Sequence, residues 1–395
     1  MGEMRRLPST FGIWLLGVGI LLLFFWKLAF TNLIFARGDT FLYFYPYWDY
    51  RAQGLLAGHL PLWNPYLFMG APFLANSQAG VLYPLNWPLV FFPAPIAVKI
   101  SILLHLLIAA SGTYVFARRA LGQSWPGALL ATALFTLGGY LTSQVEHVNQ
   151  LQGLAWFPWL MLAAYRAQGP MHKAPYAYWA ARITICALLL SLQLLAGHTQ
   201  SAFISLTGVV LYVGVLTLLS PAHLRPLAAR LIFIVAFITL AMLLASAQLL
   251  PTLELSSQSL RGGGLPLREA LSFSLDPRLL GRALLPGYSR GLFSEYVAYI
   301  GVVGLGLAAL GINKSPQRLA MLILAAVGLG FALGAFNPLY ALLAALPPFN
   351  LFRVPARWLL LFAFGIAMLA GYGLDQLQQS RRLEQPSGGD AGIGL

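Results

Sequence analysis

The chain has 395 residues, of which 59% are hydrophobic and only 9% are charged. A soluble globular protein carries roughly a quarter charged residues, so this composition excludes that class and indicates an integral membrane protein. The formal net charge is +13, but the basic residues stand in twos and threes between apolar stretches. That spacing is typical of membrane orientation signals rather than of a nucleic-acid groove. The single cysteine, Cys186, excludes an internal disulfide and a thiolate metal cluster.

The apolar stretches predict an all-α, polytopic membrane protein with about ten transmembrane helices, since a span needs about 20 mostly apolar residues. The first stretch is too long for the core of a signal peptide and no cleavage site follows, so we predict an uncleaved span. The predicted spans are residues 11–30, 96–117, 125–143, 151–165, 183–197, 201–219, 231–250, 296–312, 319–336 and 358–376. Pro158 is predicted to break the fourth of these, and the GHTQ sequence (197–200) is either a tight turn or a kink.

The basic residues of the short connectors predict a cytoplasmic N-terminus, because such connectors are enriched in Lys and Arg on the cytoplasmic side. These residues are Arg5, Arg6, Arg118, Arg119, Arg166, Lys173, Arg182, Arg225, Arg230, Lys314, Arg318, Arg381 and Arg382. The same orientation places most of the acids outside, namely Asp39, Asp49, Glu146, Glu254, Glu269, Asp276 and Glu295. We therefore expect a multi-pass protein of the plasma membrane whose polar chemistry lies on the extracytoplasmic face.

We expect one transmembrane domain over residues 1–380, followed by a disordered cytoplasmic tail at 381–395. Two extracytoplasmic loops are long, at 36–95 and 251–295. The first is far longer than an ordinary connector of about 4–6 residues. It is rich in aromatic residues, proline and glycine, whereas disordered segments are polar and poor in aromatics. The first loop is therefore predicted to be structured.

Candidate catalytic residues open this loop. Asp39 follows the first span where the helix leaves the hydrocarbon, and a carboxylate there is suited to act as a general base. Tyr43, Tyr45 and Tyr47 follow at once, and aromatic faces beside a carboxylate form a platform for a sugar. An aromatic belt at the membrane interface explains these tyrosines equally well. Asp49 is the second candidate base.

The rest of the loop carries candidate substrate-binding residues. Trp63 and Asn64 lie in HLPLWNP (59–65), and Gln78 lies in GAPFLANSQAG (70–80). Side-chain amides donate and accept hydrogen bonds, as a ligand rich in hydroxyl groups requires. The alternative is that these amides only bind the backbone of their own loop.

Polar residues also gather at two later turns on the same predicted face. Glu146, His147 and Gln150 lie in SQVEHVNQLQ, and His198 and Gln200 lie in GHTQ. An ionisable group at the centre of a span costs about 2.5–3.5 kcal/mol, so such groups rarely persist without a partner or a task. We assign them to substrate binding, with a divalent metal ion as a candidate ligand for the first set. A shallow, solvated position is the alternative.

Arginines on the predicted outer face run against the orientation rule and require a reason. The loop 251–295 holds several, including Arg261, and FNLFRVPARW (349–358) holds Arg353 and Arg357. A guanidinium group binds a phosphate through two parallel hydrogen bonds. Their spacing of four predicts that Arg353 and Arg357 share one face of a helix as a phosphate clamp. Binding of anionic lipid headgroups is the alternative for these arginines.

The motifs resemble a known family in their expected order. GDxxxxxYP and LxxGxLPLWNPYxxxGxPFxAxxQxxxxYPxN are followed by EHxxQLxxxxWFPW, AGHTQ, PTLELSxQSxR and FNLFRVPARW. Together they span about residues 36–376 and resemble the YfhO-type membrane glycosyltransferases of the GT-C superfamily. The resemblance implies an enzyme that takes a sugar from a polyprenyl-phosphate donor at the outer leaflet and inverts its anomeric centre. It also implies that the acid of the first outer loop, here Asp39, acts as the base or organises the site.

The hypothesis is therefore inverting transfer of a sugar to an extracytoplasmic acceptor, which is a cell-envelope polymer, a lipid or a protein. A transporter or flippase for envelope precursors is the first alternative, although transporters place charges near mid-membrane and often have two matched halves. A non-catalytic scaffold for envelope assembly is the second. The sugar, the acceptor and a dependence on metal stay open at this stage.

Overall fold

The structure, a computed structural model, describes residues 10–35, 38–167, 176–219, 227–259, 262–285 and 291–384. Within these residues the α-helices are α1 Thr10–Phe24, α2 Trp26–Phe30, α3 Tyr45–Leu56, α4 Ala94–Arg119, α5 Trp125–Thr136, α6 Gly139–Ser143, α7 Val148–Leu154, α8 Phe157–Arg166, α9 Tyr176–Leu195, α10 Thr199–Leu219, α11 Leu227–Leu244, α12 Ser246–Ser257, α13 Leu267–Ala270, α14 Leu280–Leu284, α15 Val302–Leu310, α16 Pro316–Ala332, α17 Pro338–Leu343 and α18 Leu359–Glu384. Two short strands, β1 Trp63–Asn64 and β2 Ala71–Pro72, pair antiparallel.

The chain is a multi-pass helical membrane protein, as its composition predicts. Five described helices are long and apolar enough to cross a membrane, at Ala94–Arg119, Trp125–Glu146, Tyr176–Leu195, Thr199–Leu219 and Pro355–Arg381. A further candidate is the pair Ala229–Leu244 and Ser246–Ser257, whose two helices meet at 81°. Two shorter apolar helices are Trp14–Phe24 and Pro316–Ala332. The predicted total of about ten spans stays a prediction.

Proline and glycine determine two of the predicted breaks. Helix α8 begins at Phe157 with Pro158 in its first turn, where the missing N–H of proline leaves no hydrogen bond unmade. The GHTQ sequence is a turn between α9 and α10, and Gly197 adopts a φ of +89° there. A Cβ atom at Gly197 would lie 2.0 Å from the carbonyl oxygen of Ser77, so only glycine lets the first loop approach this turn.

Three predicted boundaries are wrong. The stretch 231–250 is not one straight span, because the chain bends by 81° between α11 and α12; hydropathy reports burial and not direction. The stretch 296–312 becomes helical only at Val302, after a 3₁₀ turn at Ser294–Tyr296. Residues 381–384 belong to α18 and not to a tail, because the strong helix formers of this stretch continue without glycine or proline. Residues 385–395 lie outside the described part.

Helix α18 forms the centre of the bundle and packs against α5, α15 and α16. Its apolar stretch is 89% buried, which explains why its sequence is apolar on every side. Glycines permit the close packing: a Cβ at Gly365 would lie 2.5 Å from the carbonyl oxygen of Met321, and one at Gly373 would lie 1.9 Å from that of Leu307. Small residues at helix contacts are the usual means of close packing in membranes.

The first loop is folded, as predicted. Phe73, Ala79 and Val81 form a small buried cluster of their own, separate from the main core. The guanidinium of Arg51, which is 1% exposed, donates to the carbonyl of Ala79 at 2.9 Å and lies over the ring of Trp48. Charged and aromatic groups thus stabilise this loop where its apolar core is small.

Candidate functional site

Four separate segments meet at one end of the bundle. Thr40 donates from Oγ1 to the carbonyl of Glu146 at 2.9 Å, which joins the first loop to the turn before α7. Ser77 donates to the carbonyl of Gly197 at 3.1 Å, which joins the same loop to the turn between α9 and α10. Gln200 donates to the carbonyl of Arg353 at 2.7 Å. The motifs that the sequence placed on one face are therefore close together.

Asp39 is an exposed residue at this end of the bundle. Its side chain is 67% exposed, and its Oδ2 lies 3.9 Å from Nε2 of His147, whose side chain is 19% exposed. The other ring nitrogen of His147 is buried and has no hydrogen-bond partner among the described residues. Burial raises the pKa of Tyr43, and the nearby Tyr47 and Asp39 raise it further. The pair of Asp39 and His147 thus offers two exchangeable proton sites next to an aromatic surface.

The aromatic surface consists of two stacked rings. Tyr43 and Tyr47 lie with their centroids 3.9 Å apart. The side-chain amide of Asn76 donates to the Tyr43 hydroxyl at 2.8 Å and reaches that of Tyr47 at 3.5 Å. The two rings are therefore fixed by the loop, which is how a preorganised binding surface is built.

A buried ion pair lies at the same end of the bundle. Arg357 donates from Nη2 and Nε to Oε1 of Glu295 at 2.6 Å and 2.9 Å, and from Nη1 to Oε1 of Gln200 at 2.7 Å. Gln150 donates to the other carboxylate oxygen of Glu295 at 3.3 Å. Glu295 is 1% exposed. Glu295 was not predicted as a site residue, and its only signal in the sequence was its assignment to the same face.

The two arginines of FNLFRVPARW do not share a helical face, so the predicted clamp geometry is wrong. Arg353 precedes the helix, Val354 adopts a φ of +63°, and Pro355–Trp358 is a 3₁₀ turn that leads into α18. Proline disfavours α-helical backbone at the residue before it, so Val354 cannot continue a helix through the pair. Arg353 is exposed while Arg357 is largely buried.

His198 is buried at the base of the same region. Its Nδ1 lies 2.7 Å from the hydroxyl of Ser201. Burial lowers its pKa well below the ordinary value, and the nearby Arg357 and His147 lower it further. The His198 ring is therefore neutral near pH 7, and it acts as a hydrogen-bonding group rather than as a cation.

The remaining predicted residues have structural contacts. Asp49 accepts a hydrogen bond from the backbone N–H of Ala94, the first residue of α4, at 3.3 Å. The hydroxyl of buried Tyr45 donates to the carbonyl of Phe35 at 2.7 Å. Asn64 accepts from the backbone of Tyr66 at 2.9 Å, which is an Asx turn.

Trp63 and Gln78 are both exposed on the loop. The Trp63 indole lies against Gly70, where a Cβ would come within 2.5 Å of the ring. Gln78 lies beside the turn at Gly197. Arg261 lies outside the described residues.

Within the described part of the chain, no group of three or more His, Cys, Asp or Glu side chains is arranged to hold a metal ion.

Comparison with known proteins gives a match in fold. No protein-family model matches the chain, and no curated protein matches it. Its structure is similar to that of the arabinofuranosyltransferase AftD from mycobacteria, with a TM-score of 0.51 and 14% sequence identity. The match covers 92% of this chain and 26% of the AftD chain, so this chain spans about a quarter of AftD. The similarity is a likeness in fold alone, and the YfhO-type assignment stays a prediction.

Proposed function

We propose that this chain is an inverting glycosyltransferase that moves a sugar from a polyprenyl-phosphate donor to an acceptor outside the cytoplasm. The observation that carries the proposal is the meeting of Asp39, His147 and the turn 353–357 at one end of the bundle. The likeness in fold to an arabinofuranosyltransferase supports the same reaction class. The resemblance of the motifs to GT-C enzymes supports the lipid-linked donor.

Asp39 is the proposed general base. As the acceptor hydroxyl attacks the anomeric carbon, an O–C bond forms, the bond from carbon to the phosphate oxygen breaks, and the hydroxyl proton passes to the Asp39 carboxylate. A single displacement of this kind inverts the anomeric centre. The exposure of Asp39 leaves it accessible to the acceptor, and Nε2 of His147 lies 3.9 Å from the Asp39 carboxylate. A positioned general base contributes about 10²–10⁴ in rate.

The departing lipid phosphate gains negative charge as the sugar leaves. Positive groups fixed in advance where that charge develops stabilise the transition state, most strongly where water is scarce. The arginine-containing turn 353–357 supplies guanidinium groups at this end of the bundle. We assign the phosphate-binding role to this turn.

The donor sugar is proposed to lie on the stacked pair of Tyr43 and Tyr47, beside Asp39. Trp63 and Gln78 are exposed farther along the same loop and are proposed to contact the acceptor, while buried Asn64 is proposed to fix the turn beside Trp63. The predicted orientation places all of these groups outside, where nucleotide sugars are absent. That orientation is the reason to propose a lipid-linked donor.

The test is to incubate the purified protein in lipid nanodiscs with a panel of polyprenyl-phosphate sugars and a panel of envelope acceptors. Loss of donor and formation of product are followed by mass spectrometry. We expect transfer from one donor by the wild-type chain and a loss of about 10²–10⁴ in rate for Asp39→Asn. Asp49→Asn is the matched control, since the Asp49 carboxylate contacts α4. Normal transfer by folded Asp39→Asn protein would refute the role of Asp39.

One observation favours a transporter instead, namely the bend of 81° between α11 and α12, since broken helices are common in transporters. Alternating access would expose the site to both sides of the membrane in turn. Cysteine introduced at Asp39 and labelled from each side separately would show this. Labelling from one side only is expected for the glycosyltransferase, and labelling from both sides would favour transport.

A further inference from the structure

The two arginines of the turn 353–357 differ in whether their guanidinium groups have partners within the protein. Arg357 uses Nε, Nη1 and Nη2 for hydrogen bonds within the protein, two of them to the buried carboxylate of Glu295. Its charge is neutralised inside the protein. The Arg353 side chain is exposed, and it has no hydrogen-bond or ion-pair partner among the described residues. Of the two arginines of this turn, Arg353 is therefore the one whose guanidinium has no partner among the described residues.

The backbone of Val354, the residue after Arg353, is held in an unfavourable conformation. Val354 has a φ of +63°, a region that β-branched residues rarely adopt. Its N–H donates to the carbonyl of Ser272 at 3.2 Å, and its own carbonyl accepts from the backbone of Arg357 at 3.1 Å. Strain of this kind persists only where the surroundings over-determine the conformation, and it is common at ligand-binding sites.

Gln200 connects the strained turn to the ion pair. Its amide nitrogen donates to the carbonyl of Arg353 at 2.7 Å and reaches that of Val354 at 3.4 Å, while its amide oxygen accepts from Arg357. Glu295 fixes Arg357, Arg357 fixes the Gln200 amide, and Gln200 fixes the carbonyl of Arg353. The chain of contacts ends at the backbone from which the free guanidinium extends.

We infer that Arg353 is the residue of this turn that contacts the lipid-linked phosphate, and that Gln200, Arg357 and Glu295 are positioning residues that hold the turn in its strained conformation. The inference rests on the proposed function for the identity of the ligand. It divides one predicted clamp of two arginines into a binding residue and a fixed support.

The experiment measures the Kd of a polyprenyl monophosphate, with no sugar attached, for the protein in phosphatidylcholine nanodiscs. Arg353→Ala is expected to raise the Kd about 10- to 100-fold, as for one charge-assisted contact, without changing the melting temperature. Arg268→Ala is the matched control, because it removes an exposed arginine from α13, which packs beside Phe349–Leu351. It is expected to leave the Kd unchanged. Unaltered binding by Arg353→Ala would overturn the inference.

The positioning role is tested by a double-mutant cycle. Gln200→Ala is expected to raise the Kd in the wild-type chain and to have no further effect in Arg353→Ala, because it acts through Arg353. Additive effects of the two substitutions would refute this role. A purely structural role of Gln200 would lower the melting temperature equally in both backgrounds without this coupling in Kd.

Two further measurements are needed. The first distinguishes polyprenyl phosphate from ordinary lipid headgroups as the ligand, and the second distinguishes failure of this inference from failure of the proposed function. Phosphatidylglycerol added to the nanodiscs is expected not to displace the polyprenyl phosphate; displacement at equal concentration would assign the site to ordinary headgroups and overturn the inference. Binding that depends on Arg353 in a protein that transfers no sugar would refute the proposed function alone. Sugar transfer and phosphate binding unaffected by Arg353→Ala would refute this inference alone.

Discussion

Two arginine–carboxylate pairs in the described residues have nearly the same shortest N–O distance and different surroundings. Nη2 of Arg357 lies 2.6 Å from Glu295, and Nη2 of Arg278 lies 2.5 Å from Asp276. The side chains of Arg357 and Glu295 are 17% and 1% exposed, whereas those of Arg278 and Asp276 are 88% and 20% exposed. Distance alone therefore does not distinguish them, and burial does.

The pairs also differ in what they connect. Asp276 and Arg278 are two residues apart, and Asp276 also accepts from the Arg278 backbone at the start of a 3₁₀ turn. Arg278 lowers the pKa of Asp276, a local effect. Glu295 and Arg357 are 62 residues apart, and their contact holds the segment before α15 against the start of α18. The buried pair thus organises the proposed site, and the exposed pair organises one turn.

The largest expected effect is the loss of the Glu295 carboxylate. Glu295→Ala leaves the Arg357 guanidinium buried without its counter-charge, and breaking a buried pair in this way costs about 3–5 kcal/mol of folding free energy. The measurement is the free energy of unfolding in detergent, by denaturant titration with tryptophan fluorescence as the signal.

The matched control for this substitution is the double variant Glu295→Leu with Arg357→Leu. Apolar residues of similar volume often replace a buried pair without loss of stability, so we expect most of the stability to return. A double variant as unstable as Glu295→Ala would show that the packing of the site, and not the unpaired charge, determines its stability.

The sequence predicted which motifs share this end of the bundle, because alternation of spans and the distribution of charge determine sides. It did not predict the partner of Arg357. Glu295 stands in a loop with other acids and arginines, and no local spacing relates it to a residue 62 positions later. The sequence also predicted a helical turn through Arg353, whereas Val354 adopts a left-handed conformation stabilised by Ser272 and Gln200. A contact distant in sequence determines the first feature. The second depends on Pro355, which disfavours a helix at Val354, and on the distant contacts with Ser272 and Gln200.

A smaller effect is expected at Arg51, which is buried like Arg357 but contacts no acid among the residues that the structure describes. Its guanidinium donates to the carbonyls of Ala79 and Gly80, at 2.9 Å and 3.5 Å, and stacks on Trp48. Burial lowers its pKa to about 9, so it remains charged at pH 7. Arg51→Leu leaves buried carbonyls without a donor and is expected to cost about 1–3 kcal/mol, measured by the same titration. A cost above that of Glu295→Ala would contradict the ranking.

A pH-dependent effect is expected from His198, next to the buried pair. Burial and the nearby Arg357 and His147 lower its pKa in the folded chain below the ordinary 6.5, so the unfolded chain binds the proton more readily. The contribution of His198 to the free energy of unfolding is therefore fully present above about pH 6.5, and it declines as the pH falls below that value. Melting temperatures at pH 7.5 and pH 5 should differ more for the wild-type chain than for His198→Asn. An equal difference would assign the acid sensitivity to other groups.

The smallest effect is expected at the exposed pair. Arg278→Ala removes an ion pair as short as the buried one, but water surrounds the guanidinium and salt screens it, so the melting temperature at pH 7.5 should not change measurably. The Arg278 backbone N–H still donates to Asp276 in this variant, which preserves the turn. Because the pKa of Asp276 is lowered by Arg278, any stabilising contribution is present above the ordinary carboxyl pKa and is lost as the pH falls through the folded value. Thermal melts of Arg278→Ala and Glu295→Ala on one plate test the comparison, and equal losses would show that burial does not distinguish the two pairs.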